Sequence, residues 1–463
     1  MTEKVINVTS PHDGAIIGTV VCDDWNSIED KVRAASTGME SWGRTSPTER
    51  ADALIAIAAS TRIHMAELVQ LLSTENGKTH REAEMELERY MGQFIQYAGL
   101  TTTIGGRRLS LGNGVTGWVD RRPVGVVAAI VPWNFPASLF GTKLAPALAA
   151  GCGFLVKPAE STSLITLRLA EIAKPHLPEG LLNVVIGGGA IAASLVAHPG
   201  IRRIAFTGST EVGRMVAVAG SAVFKRCTLE LGGCDPFVLL EGTDLRAAVR
   251  ALGGTRFYNA GQVCVAPKRL IVERSVLDET VDLLQERLSR VVLGNSAVSP
   301  SASMGPMHTF DSRARLLDQI EDAVKHGAQQ IGARVPDRED LAGGAYIEPG
   351  LLIDPSSSAR VRVEETFGPV LTVIPFDFDD QAVQIANETT FGLGASVWGA
   401  DIDRCMRIVG LIDSGYKWVN ALGRVYDELP FGGIKESGIG REHGSEGLDS
   451  YLEDISIVVG TGA

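Results

Sequence analysis

The chain has 463 residues, 45% hydrophobic and 21% charged, with a net charge of −12. That length predicts two or three domains and a large core, and the acidic balance argues against nucleic acid or an anionic membrane surface as a partner. No basic-then-apolar leader is visible, and apolar runs such as VGVVAAIVPW (124–133) are too short to span a bilayer.

In chain order, the first third reads helical. Ser46-Pro47-Thr48-Glu49 is a capping box with proline at the first helical position, opening a helix that stops near Gly77. Thr79-His80-Arg81-Glu82 opens a second helix. The glycine-rich stretch after it reads as a hairpin. From 124 to 240 short β-branched runs alternate with helical segments, as a parallel, doubly wound sheet requires. Such sheets bind ligands at the carboxyl ends of their strands. From about 241 the pattern resumes with new helices, predicting a second α/β domain.

The six cysteines form no CxxC pair and the eight histidines no HExxH. Disulfides and a metal centre are therefore not expected, and a reducing cytoplasm fits. Gly77-Lys78-Thr79 lacks the earlier glycine of a phosphate loop, since that position is Leu72. Gly187 to Ala192 fits GxGxxA, but no acidic residue follows at the distance a dinucleotide fingerprint needs.

Other stretches carry more chemistry. In PWNFP (132–136) two prolines hold Asn134 rigidly, and its amide is a good donor to a developing oxyanion. In KPAE (157–160), Lys157 and Glu160 read either as a surface ion pair or as a clamp on ribose hydroxyls. In FTGSTEVG (206–213), Ser209 at a helix start suits a phosphate, or simply caps the helix. Glu230 lies between leucines in LELGG (229–233), where burial would raise its pKa towards that of a general base. Cys264 sits among small and apolar residues in YNAGQVCVAPKR (258–269), either as inert packing or as a nucleophile needing activation.

Together, in this order, these motifs resemble the aldehyde dehydrogenase superfamily. The resemblance runs on through EETFGPV (364–370), NETTFGLGASVW (387–398), WVN (418–420) and PFGGIKESGIGREHG (430–444). It implies two doubly wound α/β domains: a Rossmann-like cofactor domain (1–103 and 124–235) and a catalytic domain (236–445). A small β oligomerisation element (104–123 and 446–463) completes the fold. Cys264 would attack the aldehyde, Asn134 and the Cys264 N–H would hold the oxyanion, and Glu230 would activate water on the thioester. Trp133, Lys157, Glu160, Ser209, Glu365 and Phe367 would contact the cofactor. That cofactor is NAD, with NADP possible, because a carboxylate at Glu160 accepts from a free 2′-hydroxyl and repels a 2′-phosphate. Phe135, Leu139, Val263, Val265, Val425 and Phe431 would line an apolar tunnel suited to an aliphatic or aromatic aldehyde.

The chain departs from its relatives in two places. Cys234 stands where many carry lysine or serine. The arginine that the succinate-semialdehyde branch often places after PWNFP is missing, where Thr142 and Lys143 lie. Arg424 could replace it, which keeps a semialdehyde acid as the alternative. Further alternatives are a CoA-acylating enzyme and a non-catalytic relative. The last strand, 451–459, has nothing local to pair with, which predicts a homodimer or homotetramer.

Overall fold

The computed structural model describes residues 4–421 and 423–460. The chain starts with a two-stranded hairpin, Val5–Thr9 and Ile16–Val21, not with helix. Both strands are rich in β-branched residues, and Gly14 turns the chain at φ 74°. Both predicted capping boxes form, Ser46 with Glu49 and Thr79 with Glu82. The first does not open one continuous helix. Pro47–Ile63 and Met65–Asn76 meet at a 76° bend, where His64 leaves helical geometry. That bend lets Leu54 and Ile57 on one side, and Leu68 and Leu72 on the other, enter the same core. No single described helix is long and apolar enough to cross a membrane.

The first large sheet has parallel strands Leu182–Val184, Gly153–Lys157, Val126–Ile130, Ile201–Thr207 and Arg226–Glu230, in that spatial order. Strand order reverses beside Val126–Ile130, so a crevice opens at the carboxyl ends there. Val126–Ile130 and Gly153–Lys157 are buried along their whole length, which explains their unbroken apolar runs. Gly438–Ile439 returns from late in the chain and pairs antiparallel with Glu230 and Leu229. The second sheet has seven strands, parallel except for the edge strand Gln329–Gly332.

The third sheet joins Arg107–Gly112, Val115–Pro123 and Leu452–Val459. The last strand therefore does have a partner in its own chain. It pairs with Val115–Pro123 from Leu452 opposite Pro123 to Val459 opposite Thr116. The sequence separation hid a partner that the fold brings back. Its other edge carries the exposed residues Ile455, Val458 and Val459.

Helix Trp25–Trp42 packs on the first sheet at backbone distance. A Cβ on Gly153 would lie 2.6 Å from the Ala35 carbonyl oxygen. Neither backbone can yield, so Gly153→Ala should destabilise the protein by about 1–3 kcal/mol in urea unfolding. An unchanged midpoint would show that this helix can move off the sheet.

Candidate active site

The candidates on the first sheet lie at the carboxyl ends of its strands. Trp133 and Asn134 follow Val126–Ile130, Glu160 follows Gly153–Lys157, Ser209 follows Ile201–Thr207, and Glu230 ends Arg226–Glu230. Cys264 lies in the loop between helix Leu245–Arg256 and strand Arg269–Glu273.

The Cys264 loop is strained. Asn259 and Ala260 have φ of 50° and 51°, and Gly261 has φ of 73°. Left-handed geometry at non-glycine residues persists only where the surroundings enforce it. Here the Asn259 N–H donates to Glu82 Oε1 at 2.7 Å and its side-chain amide to the Asn134 carbonyl at 3.0 Å. Gly261 lies so close to the next loop that a Cβ would sit 2.3 Å from the Gly368 carbonyl oxygen. Buried Arg256 ties the two loops by donating to the carbonyls of Thr366 (2.9 Å) and Gly368 and to that of Gly261 (3.5 Å).

Asn134 is buried, and its Nδ2 donates to the Gln262 carbonyl at 3.1 Å. That bond uses one amide proton and sets the amide plane; the second remains for a ligand. The Asn134 carbonyl also accepts from buried Lys78 Nζ at 3.0 Å, and Lys78 is ion-paired with Glu86. Glu86 Oε1 accepts from the N–H groups of Ala137 and Ser138 at 2.8 and 3.1 Å. A carboxylate thus caps helix Pro136–Ala150 and anchors PWNFP at once. Phe135 stacks on Tyr258, with Lys78 Nζ 4.4 Å above its ring.

Cys264 and Glu230 are both held in unfavourable electrostatics. Burial pushes the Cys264 thiol up to about 12; Lys268 pulls it down, while Glu365, Asp235 and Glu230 push it further up. Glu230 is buried with neither carboxylate oxygen hydrogen-bonded. Burial first, and then the nearby Glu442 carboxylate, raise its pKa well above the ordinary range, against the pull of Lys143. Buried Lys143 donates to Thr207 Oγ1 at 2.7 Å and to Glu442 Oε1 at 2.8 Å. Gly432 leaves room for the carboxylate, since a Cβ there would lie 2.7 Å from Glu230 Oε1.

The cofactor candidates surround the crevice. Lys157 is buried, donates to the Pro158 carbonyl at 2.9 Å and lies 3.7 Å from half-exposed Glu160. Burial lowers the Lys157 pKa. Gly188 comes so near Glu160 that a Cβ there would be 3.0 Å from Oε1. Ser209 is exposed and caps helix Thr210–Ser221, with Oγ 3.4 Å from the Val212 N–H it accepts. A phosphate would have to share this helix end with the Ser209 cap. Trp133 is stacked on His308 (4.4 Å, 8°) and edge-on to Phe367 (5.8 Å). Glu365 accepts from the Gly233 N–H at 3.1 Å. A half-exposed carboxylate, a buried lysine, a helix N-terminus and an aromatic wall at one switch point fit a dinucleotide.

Of the tunnel candidates, Val265 and Val425 pack with Phe431 in a cluster that also holds Tyr416, Trp418 and Cys264. Val263 is partly exposed beside them in sequence, and Leu139 packs on the neighbouring core. Arg424 is exposed, with its guanidinium 5.3 Å from the Tyr426 ring.

The sequence pattern of the aldehyde dehydrogenase family matches residues 1–457. The chain is 36% identical over 472 aligned positions to a phenylacetaldehyde dehydrogenase of Pseudomonas fluorescens, covering 99% of this chain and 93% of that protein. It is 34% identical to an NADP(+) succinate-semialdehyde dehydrogenase of Escherichia coli, covering 99% and 95%. The crystal structure of a Staphylococcus aureus betaine aldehyde dehydrogenase in complex with NAD+ superposes with a TM-score of 0.96 at 32% identity, covering 99% and 92%. The chain belongs to the aldehyde dehydrogenase family. It is an NAD(P)-dependent oxidoreductase acting on aldehydes.

Several residues at the site escaped the sequence reading: Lys78, Glu82, Glu86, Glu442, Lys268, Arg256 and His308. Lys143 was noted only as a departure. Its signal was available, a lone charge inside the apolar helix SLFGTKLAPALAA. Lys78 was visible too, but only as part of a failed phosphate-loop motif.

Asp235 gives a pH test. It is buried with neither oxygen hydrogen-bonded, and burial raises it to about 7. A folded pKa above the unfolded value means stability is lost as pH rises through that window. Relative to wild type, Asp235→Asn should gain ~2–4 kcal/mol between pH 5 and pH 8, read by urea unfolding at each pH. A constant difference across that range would remove Asp235 from the titration.

Proposed function

We propose that Cys264 is the nucleophile, Glu230 the general base and Asn134 an oxyanion donor in the oxidation of an apolar aldehyde to its acid. The observation that carries this reading is a thiol packed in an apolar cluster, beside a buried carboxylate that no hydrogen bond engages. Glu230 takes the thiol proton and passes it to solvent, and Cys264 Sγ attacks the aldehyde carbon. The charge on its oxygen is held by the free amide proton of Asn134 and by the Cys264 N–H. Bound nicotinamide supplies the hydride acceptor that lets this adduct become a thioester. Glu230, with its raised pKa, then takes a proton from water as the water attacks the thioester carbon. Lys157 and Glu160 would hold the adenosine ribose, Ser209 and its helix end the pyrophosphate, and Glu365 the nicotinamide ribose, with Trp133 and Phe367 beside it. Glu160 favours NAD over NADP, because its carboxylate repels a 2′-phosphate, while Lys157 keeps NADP in play.

Phe135, Tyr258, Val265, Val425 and Phe431 support an aliphatic or aromatic tail, as in the phenylacetaldehyde relative. Arg424 over Tyr426 supports a second reading, a semialdehyde acid. The three sheets support the division into cofactor, catalytic and oligomerisation units. The exposed apolar edge of the last strand supports a homodimer or homotetramer, and the unpaired cysteines suit a reducing cytoplasm.

The test is NADH formation at about 340 nm with phenylacetaldehyde, hexanal and succinic semialdehyde, each with NAD and NADP. Cys264→Ala should make none. Glu230→Gln should make a burst of about one NADH per subunit and then stall, because the thioester forms but is not hydrolysed. Steady turnover by Glu230→Gln would take the base role from Glu230.

A further inference from the structure

Behind Cys264 lies a fully buried lysine with no assigned role. Lys268 is four residues beyond the thiol, just before strand Arg269–Glu273. Its Nζ donates to the carbonyl of Val263 at 2.9 Å and to that of Cys264 itself. It also lies 3.7 Å from Glu365 Oε1. The Lys268 N–H is fixed in turn by the Asp235 carbonyl at 2.9 Å.

This geometry has a direct consequence. The Val263 carbonyl and the Cys264 N–H belong to one planar peptide unit and point in opposite directions. Holding the carbonyl therefore aims the N–H. Holding the Cys264 carbonyl as well fixes the backbone on both sides of the thiol-bearing carbon. We propose that Lys268 is a positioning residue for the reaction: its ammonium clamps the two carbonyls at Cys264, aims the Cys264 N–H at the oxyanion, and links that peptide to Glu365. The proposal rests on the reading of Cys264 as nucleophile.

A hydroxyl could make one such bond and an amide two; an ammonium has three protons for the three oxygens arranged here. Its charge also matters. Among the charges that act on the thiol, Glu365, Asp235 and Glu230 oppose its ionisation and Lys268 favours it. Without it, the carboxylates act on the thiolate unopposed. Arg269 cannot substitute, because its guanidinium is turned to the carbonyls of Cys234, Ile385 and Ala386.

The experiment compares Lys268→Met, Lys268→Gln and Lys268→Arg with wild type in the full chain. Thermal melting and NADH fluorescence titration report folding and cofactor affinity. Alkylation of the Cys264 peptide by iodoacetamide, followed by mass spectrometry from pH 6 to pH 10, reports the thiol. In the neutral variants alkylation should be about tenfold slower at each pH, and kcat should fall about ten- to a hundredfold with aldehyde KM little changed. Lys268→Arg, which keeps the charge, should restore the alkylation rate to near wild type. Should Lys268→Met fail to fold, Lys268→Gln is read by the same criteria, since it keeps a donor without the charge. A folded neutral variant with an unchanged alkylation rate, or with kcat within about twofold of wild type, overturns the proposal. Cys264→Ala separates the two readings. If it still makes NADH, the nucleophile reading itself has failed. If it is inert while the neutral Lys268 variants behave as wild type, the role of Lys268 alone is wrong.

Discussion

Buried charge is the constraint on which the site depends. Lys78, Lys143 and Lys268 have no exposed side-chain surface, and each lies close to a glutamate: Glu86, Glu442 and Glu365. A lone ammonium in the interior would cost several kcal/mol, so each lysine requires its partner in place. Lys78 and Glu86 are near neighbours in the chain, whereas the other two pairs join distant segments. Lys143 and Glu442 are 299 residues apart, and their pairing ties the first sheet's helix to the late loop carrying Phe431 and Gly432. Removing one partner leaves the other charged and unpaired, which is far worse than never having had the pair. The pairs therefore act as conditions for assembly. The site loops reach their positions only when the two halves of the chain have come together.

That arrangement explains how strained backbone survives beside Cys264. Asn259, Ala260 and Gly261 lie in the left-handed region, and two of them carry side chains. Glu82 from one helix, Asn134 from the PWNFP loop and Arg256 from another helix all bond to this turn. The same Arg256 grips the loop of Glu365 and Phe367. The proposed nucleophile, oxyanion donor and cofactor contacts are thus joined by one hydrogen-bond network. Pre-organisation of this kind is what electrostatic stabilisation of a developing oxyanion requires. Glu230 is the exception. It sits in a space lined by glycine and makes no hydrogen bond, which leaves it free to act on water.

The elements were largely legible in the residues, because the signals that make them are local. Capping boxes, β-branched runs and turn glycines act over a few positions, so both boxes and the main strands appear where expected. Misreadings arose where distant contacts decide. The helix break at His64 has no proline to announce it; it follows from two faces needing one core. The last strand seemed unpartnered because Val115–Pro123 is more than 300 residues earlier in the chain.

For the site, no single motif was enough, and it was their joint order along the chain that brought Cys264, Glu230 and Asn134 forward as candidates. That order was also enough for the family, whose motifs recur along nearly the whole chain. Tertiary structure alone decided what surrounds those residues: the ion pairs of Lys78 and Lys143, the clamp of Lys268, the packing of His308 on Trp133, and the placement of Arg424 outside the apolar cluster. The reason is physical. A motif is local in the chain, whereas desolvation, charge pairing and stacking depend on distance in space, which only the folded chain sets.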